Sequence, residues 1–271
     1  MKTIIRLGIL LVILSVSGCE KKAVWEPNPG FVAQVVIHAL LTDEPGRQEI
    51  TIAQTIIRPG DVPAPLTGAI VYLSDEDTVY TLVNDSTQPG TYVANLTLEP
   101  GTTYTLIVSL NTAVYSARAT LTDGMAFDPP VFAFNGSDSL YYLERMGAPF
   151  DPDFPAMYRI TADWSNVTGY LNQPASACRA EFYTFSLPTL DVGQLLPPSA
   201  QKTGVPPGSL INVERYALDA AHAEYYRQVL LETAWSGGLF AVDPANVPTN
   251  FTGGAKGYFG LCGLTRLSLA L

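Results

Sequence analysis

Thr91-Tyr92-Val93-Ala94-Asn95-Leu96-Thr97-Leu98-Glu99-Pro100-Gly101-Thr102-Thr103-Tyr104 is the stretch whose pattern fixes the fold class. Tyr92, Ala94, Leu96 and Leu98 alternate with Thr91, Val93, Asn95 and Thr97, the period of two of a strand with one buried face. Glu99-Pro100-Gly101-Thr102 then fits a type II turn. Proline presets the first central residue, and glycine takes the positive φ of the second at little cost. Tyr104, Leu106, Val108 and Leu110 form the returning strand.

The same period continues on both sides. Upstream, Phe31, Ala33, Val35, Ile37, Ala39 and Leu41 make one face of a strand, and Ile50, Ile52 and Ile56 belong to the next. Residues 68–73 and 78–83 follow, separated by an acidic turn at Asp75, Glu76 and Asp77. Downstream, Tyr115, Ala117, Ala119 and Leu121 close the series. Seven short strands with turn signals between them predict an all-β, immunoglobulin-like sandwich over residues 31–126.

At Phe127-Asp128-Pro129-Pro130 the pattern breaks, which sets a domain boundary there. Residues 127–271 predict a second β-rich domain with strands near 157–164, 181–185 and 264–271, and proline-rich loops at 148–155 and 196–208. One helix is expected over about 220–235. Asp219 is placed to cap it, Ala221, Tyr225, Val229 and Glu232 form one stripe with His222, Tyr226 and Leu230 beside it, and Ser236-Gly237-Gly238 stops it.

The chain begins with Lys2 and Arg6, an apolar run from Leu7 to Val16, and Leu14-Ser15-Val16-Ser17-Gly18-Cys19. A basic start, a short apolar run and small residues before a cleavage point are the layout of a secretory signal peptide over residues 1–18. The run is too short to span a bilayer. The Val-Ser-Gly-Cys ending resembles the bacterial lipobox, which implies that Cys19 carries diacylglycerol and, after cleavage, an acylated amine. Several acyl chains anchor stably where one does not. Residues 19–30 then read as a polar, proline-broken tether, with a reach of about 35–40 Å when extended.

The formal net charge is −10, and loss of Lys2 and Arg6 with the leader makes the mature chain more acidic still. Such a surface repels phosphate backbones and anionic headgroups, which argues against nucleic-acid binding and rests the membrane attachment on lipid. The hydrophobic fraction of 47% is ample for a packed core. Beyond Cys19 the chain has Cys178 and Cys262. In an oxidising compartment the pair is a candidate disulfide, worth roughly 4–5 kcal/mol in the chain-entropy model. Two separate buried thiols are the alternative. No metal centre or cofactor is expected, because paired cysteine spacings are absent and His38 and His222 lie far apart.

With two histidines in the chain, acid–base and triad schemes are starved of members. Three Asp-Ser/Thr triplets, at Thr78, Ser86 and Ser139, resemble the sites at which Bacteroidota O-glycosylate exported proteins. Asp75-Glu76-Asp77 and Asp151-Pro152-Asp153 lack the ligand spacing of a calcium loop. Tyr141-Tyr142, Tyr225-Tyr226 and Trp164 are candidates for stacking on sugars, and more commonly such residues fill a core. Asp151 or Asp153 with Glu181 would supply the carboxylate pair of a hydrolase if they faced each other across a cleft.

Gly90-Thr91-Tyr92 and Leu98-Glu99-Pro100-Gly101-Thr102-Thr103-Tyr104 resemble the transthyretin-like or carboxypeptidase-regulatory-like modules, mostly non-catalytic spacers. The late run Pro248-Thr249-Asn250-Phe251-Thr252-Gly253-Gly254-Ala255-Lys256-Gly257-Tyr258-Phe259-Gly260 resembles the terminal signature of a family of Bacteroidota cell-envelope lipoproteins catalogued only as a domain of unknown function. That resemblance implies an outer-membrane lipoprotein, associated with a TonB-dependent receptor as its partner, and it implies no activity. The expected function is a non-enzymatic binding or accessory role. The alternative is surface glycan binding, and a carboxylate-based hydrolase stands third. In the glycine block, Tyr258 and Phe259 are expected to alternate across a strand, one ring in the core and the other toward a loop or solvent.

Overall fold

Every strand expected from the period-two pattern is present in the structure, a computed structural model that describes residues 32–58, 60–146, 153–188, 203–234 and 247–271. Cys19, the tether at 20–30, Phe31, Asp151, Trp235 and Ser236-Gly237-Gly238 lie outside the described residues. Residues 32–33 and the described part of 56–62 belong to a separate compact unit. Within it the Asp61 carboxylate accepts from the Arg58 amide at 3.0 Å. Residues 34–55 and 63–271 form the main unit.

The first seven strands are β1 (Val35–Thr42), β2 (Gly46–Gln54), β3 (Ile70–Ser74), β4 (Val79–Asn84), β5 (Thr91–Leu96), β6 (Thr103–Leu110) and β7 (Ala113–Thr120). In β6 the alternation is complete, with Tyr104, Leu106, Val108 and Leu110 buried and their neighbours half-buried. The turn before it has Gly101 at φ +77°, and the Thr102 amide donates to the Glu99 carbonyl at 3.2 Å. These are the features of a type II turn. Tyr104 adds a pin from inside the core: its hydroxyl accepts from the Glu99 amide at 3.0 Å.

These strands form a sheet of order β13-β1-β2-β5-β4-β3-β6-β7, in which β13 is Lys256–Cys262. The β4–β5 ladder is short, with two residue pairs, and the sheet folds over around one core. Ile37, Ile50 and Ile52 from one half share that core with Val71, Leu106 and Val108 from the other. The fold is mainly β and sandwich-like, as the sequence predicts.

Strand β13 corrects the expected domain division. It was assigned to the second domain, within 127–271, yet it pairs in parallel with β1, Ile37 opposite Gly257 and Ala39 opposite Phe259. An unpaired β1 would present a row of bare N–H and C=O groups, and β13 covers that edge. At Gly257 a side chain would run into the Ile37 carbonyl, and φ is +94°, so glycine permits the approach. Just upstream, Thr252 donates its amide to the Ser116 carbonyl at 2.8 Å, fastening the same segment to β7. The block therefore closes the first sheet, not the second domain.

The second sheet has order β11-β10-β12-β14, with β10 Ala156–Asp163, β11 Arg179–Ser186, β12 Leu210–Ala217 and β14 Leu264–Ala270. A ribbon of β8 (Val131–Asn135) and β9 (Leu140–Arg145) stands beside it, and Tyr158, Ile160, Ile211 and Val213 form its core with Phe132 and Leu143. Strands β8, β9 and β12 are additions to the sequence reading.

The helix α1 spans Ala220–Glu232. The Asp219 side chain caps it as expected, accepting from the His222 amide at 2.7 Å. Its buried face differs from the expected stripe. His222 and Ala223 are buried, with Tyr226 and Leu230 packed against the same cluster, whereas Ala221 is exposed. The apolar surface α1 covers is the outer face of β13 and its surroundings, including Cys262.

Candidate functional site

The chemistry-bearing side chains that the fold brings together are on α1 and β13. The Asp219 cap sets His222 in the first helical turn, and the strand opposite has Gly260, where any side chain would occupy the space of the imidazole. The ring lies stacked between Tyr226 and Tyr258, with centroid separations of 4.9 and 4.8 Å. Tyr225 stacks on Tyr258 in turn, at 4.6 Å. Nδ1 of His222 is 3.7 Å from Sγ of Cys262. His38, on the face of β1 turned from the core, is in register with Tyr258.

A cysteine beside a histidine invites a nucleophilic reading, which requires a thiolate and an imidazolium at working pH. Both groups are driven the other way. Burial, and then the nearby His38, pushes the His222 pKa down to about 3. Burial, then Asp219 and Asp43, pushes the Cys262 thiol up. The pair is a neutral imidazole facing a neutral thiol, with His222 at 3% exposure and Cys262 at 0%. Its chemistry is that of a packed wedge between helix and sheet.

Cys178 and Cys262 do not form the disulfide considered from the sequence: both are free and buried. Cys178 ends the short helical turn at 175–177 beside the second sheet and directs its thiol to the Tyr170 carbonyl, at 3.9 Å. Cys262 is committed to His222. Each thiol fills its own apolar site, so neither is offered to the other. Alkylation mapped by mass spectrometry should leave both unlabelled in the native protein and label both in denaturant without reductant. Labelling that needs reductant would restore the disulfide.

The exposed face of the second sheet carries a charged ladder that sequence reasoning missed. Arg159 on β10 donates to Glu181 on β11 at 3.2 Å and to Glu214 on β12 at 3.4 Å. Arg266 on β14 donates to Glu214 at 2.9 Å and also pairs with Glu44. The Tyr183 hydroxyl donates to Glu181 at 2.6 Å, and that bond, followed by Arg159, holds the Glu181 carboxyl below its ordinary range. A depressed, ion-paired carboxylate is the wrong instrument for a general acid. Glu181 and Asp153 also line separate cavities, Glu181 with Arg159 and Arg179, Asp153 with Arg215 and Leu218. The carboxylate pair considered for a hydrolase is not assembled from these two.

Thr78, Ser86 and Ser139 are all exposed in turns between strands. The triplet aspartates Asp85 and Asp138, and Asp75 just ahead of the triplet at Asp77, are employed locally. Asp75 accepts from the Asp77 and Thr78 amides at 2.9 and 2.7 Å, and Asp85 from the Thr87 amide at 2.8 Å. Asp138 accepts from the Leu140 amide at 3.1 Å. Such bonds make tight turns, which gives aspartate a structural reason to recur there. Tyr141 packs on Phe134 and Trp164 on Tyr170, with ring separations of 5.1 and 6.5 Å. Among the described residues no cluster of histidine, cysteine and carboxylate could hold a metal ion, and no helix is long and apolar enough to cross a membrane.

The family model described as "Domain of unknown function (DUF4249)" matches residues 26–268. The chain belongs to the DUF4249 family. Among solved structures, the FN1-FN3 domains of chicken CNTN1 match at 15% identity, over 73% of this chain and 65% of that one, with a TM-score of 0.28. The DUF4249 chain thus spans under two thirds of that structure. No curated protein matches it. The DUF4249 match includes the Asn250–Gly260 stretch, where Asn250 donates to the Phe259 carbonyl at 2.7 Å and accepts from the Phe259 amide at 2.9 Å. That two-way clasp gives the asparagine and glycines of the block a job in holding β13.

Proposed function

We propose that the protein is a lipid-anchored component of the bacterial outer membrane that binds or assists an envelope partner, such as a TonB-dependent receptor, without turning over a substrate. The observation that carries this reading is the leader ending Val16-Ser17-Gly18-Cys19, followed at once by a polar tether. The neutral Cys262–His222 pair and the ion-paired Glu181 agree with a binding role, since neither is poised for nucleophilic or general-acid work. Glycan binding is a second reading, favoured by Tyr183, half-exposed on the ladder face of the second sheet.

Cys19→Ser should abolish incorporation of radiolabelled palmitate and leave an uncleaved precursor. Continued labelling of that variant would remove the anchor from the proposal. Cross-linking of the wild-type protein in intact cells, followed by identification of the partner, tests the accessory role. Recovery of an outer-membrane receptor is the expected result, and retention on a glycan column through Tyr183 would favour the second reading.

A further inference from the structure

Arg215 is a buried cation with no salt bridge to any carboxylate among the described residues. It extends the core-facing row of β12 beyond Ile211 and Val213, and 3% of its surface is exposed. Nη2 donates to the Phe154 carbonyl at 3.2 Å, and the guanidinium lies 6.0 Å from the centre of the Tyr158 ring. Nη1 is shielded from water and has no hydrogen-bond partner among the described residues. Enclosing a guanidinium in this way is unfavourable unless an anion or acceptor completes it.

The same side chain lines a cavity of about 500 Å³, a size typical of small-molecule sites. Leu121, Met125, Phe154, Pro155 and Leu218 make its walls largely apolar. Its other charged lining is acidic: Asp123, Asp153 and Asp219. The segment 120–125 that forms one wall is tied down by Thr122, whose hydroxyl donates to the Ala217 carbonyl at 2.7 Å and accepts from the Gly263 amide at 3.2 Å. The site is therefore built on fixed backbone.

We propose that this cavity binds the free carboxylate of an amino acid or of a peptide C-terminus, held by Arg215. A carboxylate matches the forked edge of a guanidinium, which can donate two parallel hydrogen bonds. The guanidinium turns on binding, so that Nη1 gains an acceptor and Nη2 exchanges the Phe154 carbonyl for the ligand. The apolar walls take the side chain, and the acidic residues favour a ligand with an ammonium elsewhere. The same residues, on a chain of net charge −10, disfavour polyanions. The site does not depend on the lipid anchor.

Calorimetric titration of the purified full chain with Ala-Ala-Phe, with its C-terminal amide and with free phenylalanine tests this directly. At least one of the two carboxylates should give saturable heat and raise the melting temperature, and the tighter of them identifies the source as peptide or free amino acid. The amide should bind at least tenfold more weakly. Arg215→Met should remove the heat and melt no lower than wild type, because it eliminates a buried charge that has no salt bridge among the described residues. Met125→Trp, at an exposed wall position, should block binding without lowering the melt, and it decides the matter if Arg215→Met does not fold. Equal affinity for the amide, binding retained in both variants, or no heat from either carboxylate at millimolar concentration would overturn the proposal.

Discussion

Acidification should destabilise the native state through His222 by roughly 4–5 kcal/mol once the pH reaches about 3. The imidazole has an ordinary value of 6.5, and burial holds it down to about 3 in the folded protein. Below pH 6.5 the unfolded chain takes up a proton that the native ring refuses, so the unfolded state binds more protons and stability falls with pH. The loss is complete when the pH reaches the folded value, and each unit of displacement is worth about 1.4 kcal/mol. By pH 4.5 more than half of that loss should already be present.

That window separates the effect from the carboxylates. Asp163 is held down to about 2 by the Ser165 and Arg179 hydrogen bonds, from an ordinary 3.8. Its contribution is present above 3.8 and disappears only below it. Urea denaturation between pH 7 and pH 4.5 should show the loss in wild type and a flatter profile in His222→Gln. His38→Gln measures the share of the other histidine, whose pKa is also lowered by burial. An unchanged slope in His222→Gln would mean that the ring is not enclosed as the stack of Tyr226 and Tyr258 implies.

Truncating Phe259 should cost about 3–5 kcal/mol, the range for a large ring removed from a closed core. Its side chain is fully buried among the first-sheet residues. Tyr258, on the other face of β13, is only 7% exposed and stacks on His222 and Tyr225. The expectation that one of the two rings would face a loop or solvent is thereby corrected: both are inside, under different layers. Gly257→Ala should act on the same pairing, by driving a side chain into the Ile37 carbonyl. Denaturant melts of Phe259→Ala and Gly257→Ala, with hydrogen exchange at β1 amides, should show lower midpoints and faster exchange in β1. Unaltered melting in both would mean that β13 is dispensable to the first sheet.

The first half was legible because each of its strands has one dry and one wetter face, and that contrast writes a period of two into the sequence. Pro100-Gly101 was equally plain, since few residues satisfy a type II turn. Strand β13 carried no such signal. Tyr258, Phe259, Gly260, Leu261 and Cys262 are all buried, so no contrast of dry and wet faces tells which sheet the strand joins. The stripe on α1 was misplaced because the helix leans on aromatic rings through His222 and Tyr226, which a hydropathy pattern does not rank as core. Arg215 was invisible for a related reason. A lone arginine in a strand reads as surface, and only the three-dimensional position of Phe154 and Tyr158 reveals that it is enclosed. The ladder of Arg159, Glu181, Glu214 and Arg266 depends on register across four strands, which local sequence does not encode.

The β1–β13 ladder joins Val36 to Lys256, the widest sequence separation of any strand pairing among the described residues. Closing so long a loop is entropically late. A ribosome must release the chain through Cys262 before the first sheet can gain its last strand. The N-terminal half, though it holds most of its own core, consequently emerges with one edge unzipped and waits for the C-terminus. The pairing makes loss of Lys256–Cys262 a fault in the part of the protein made first.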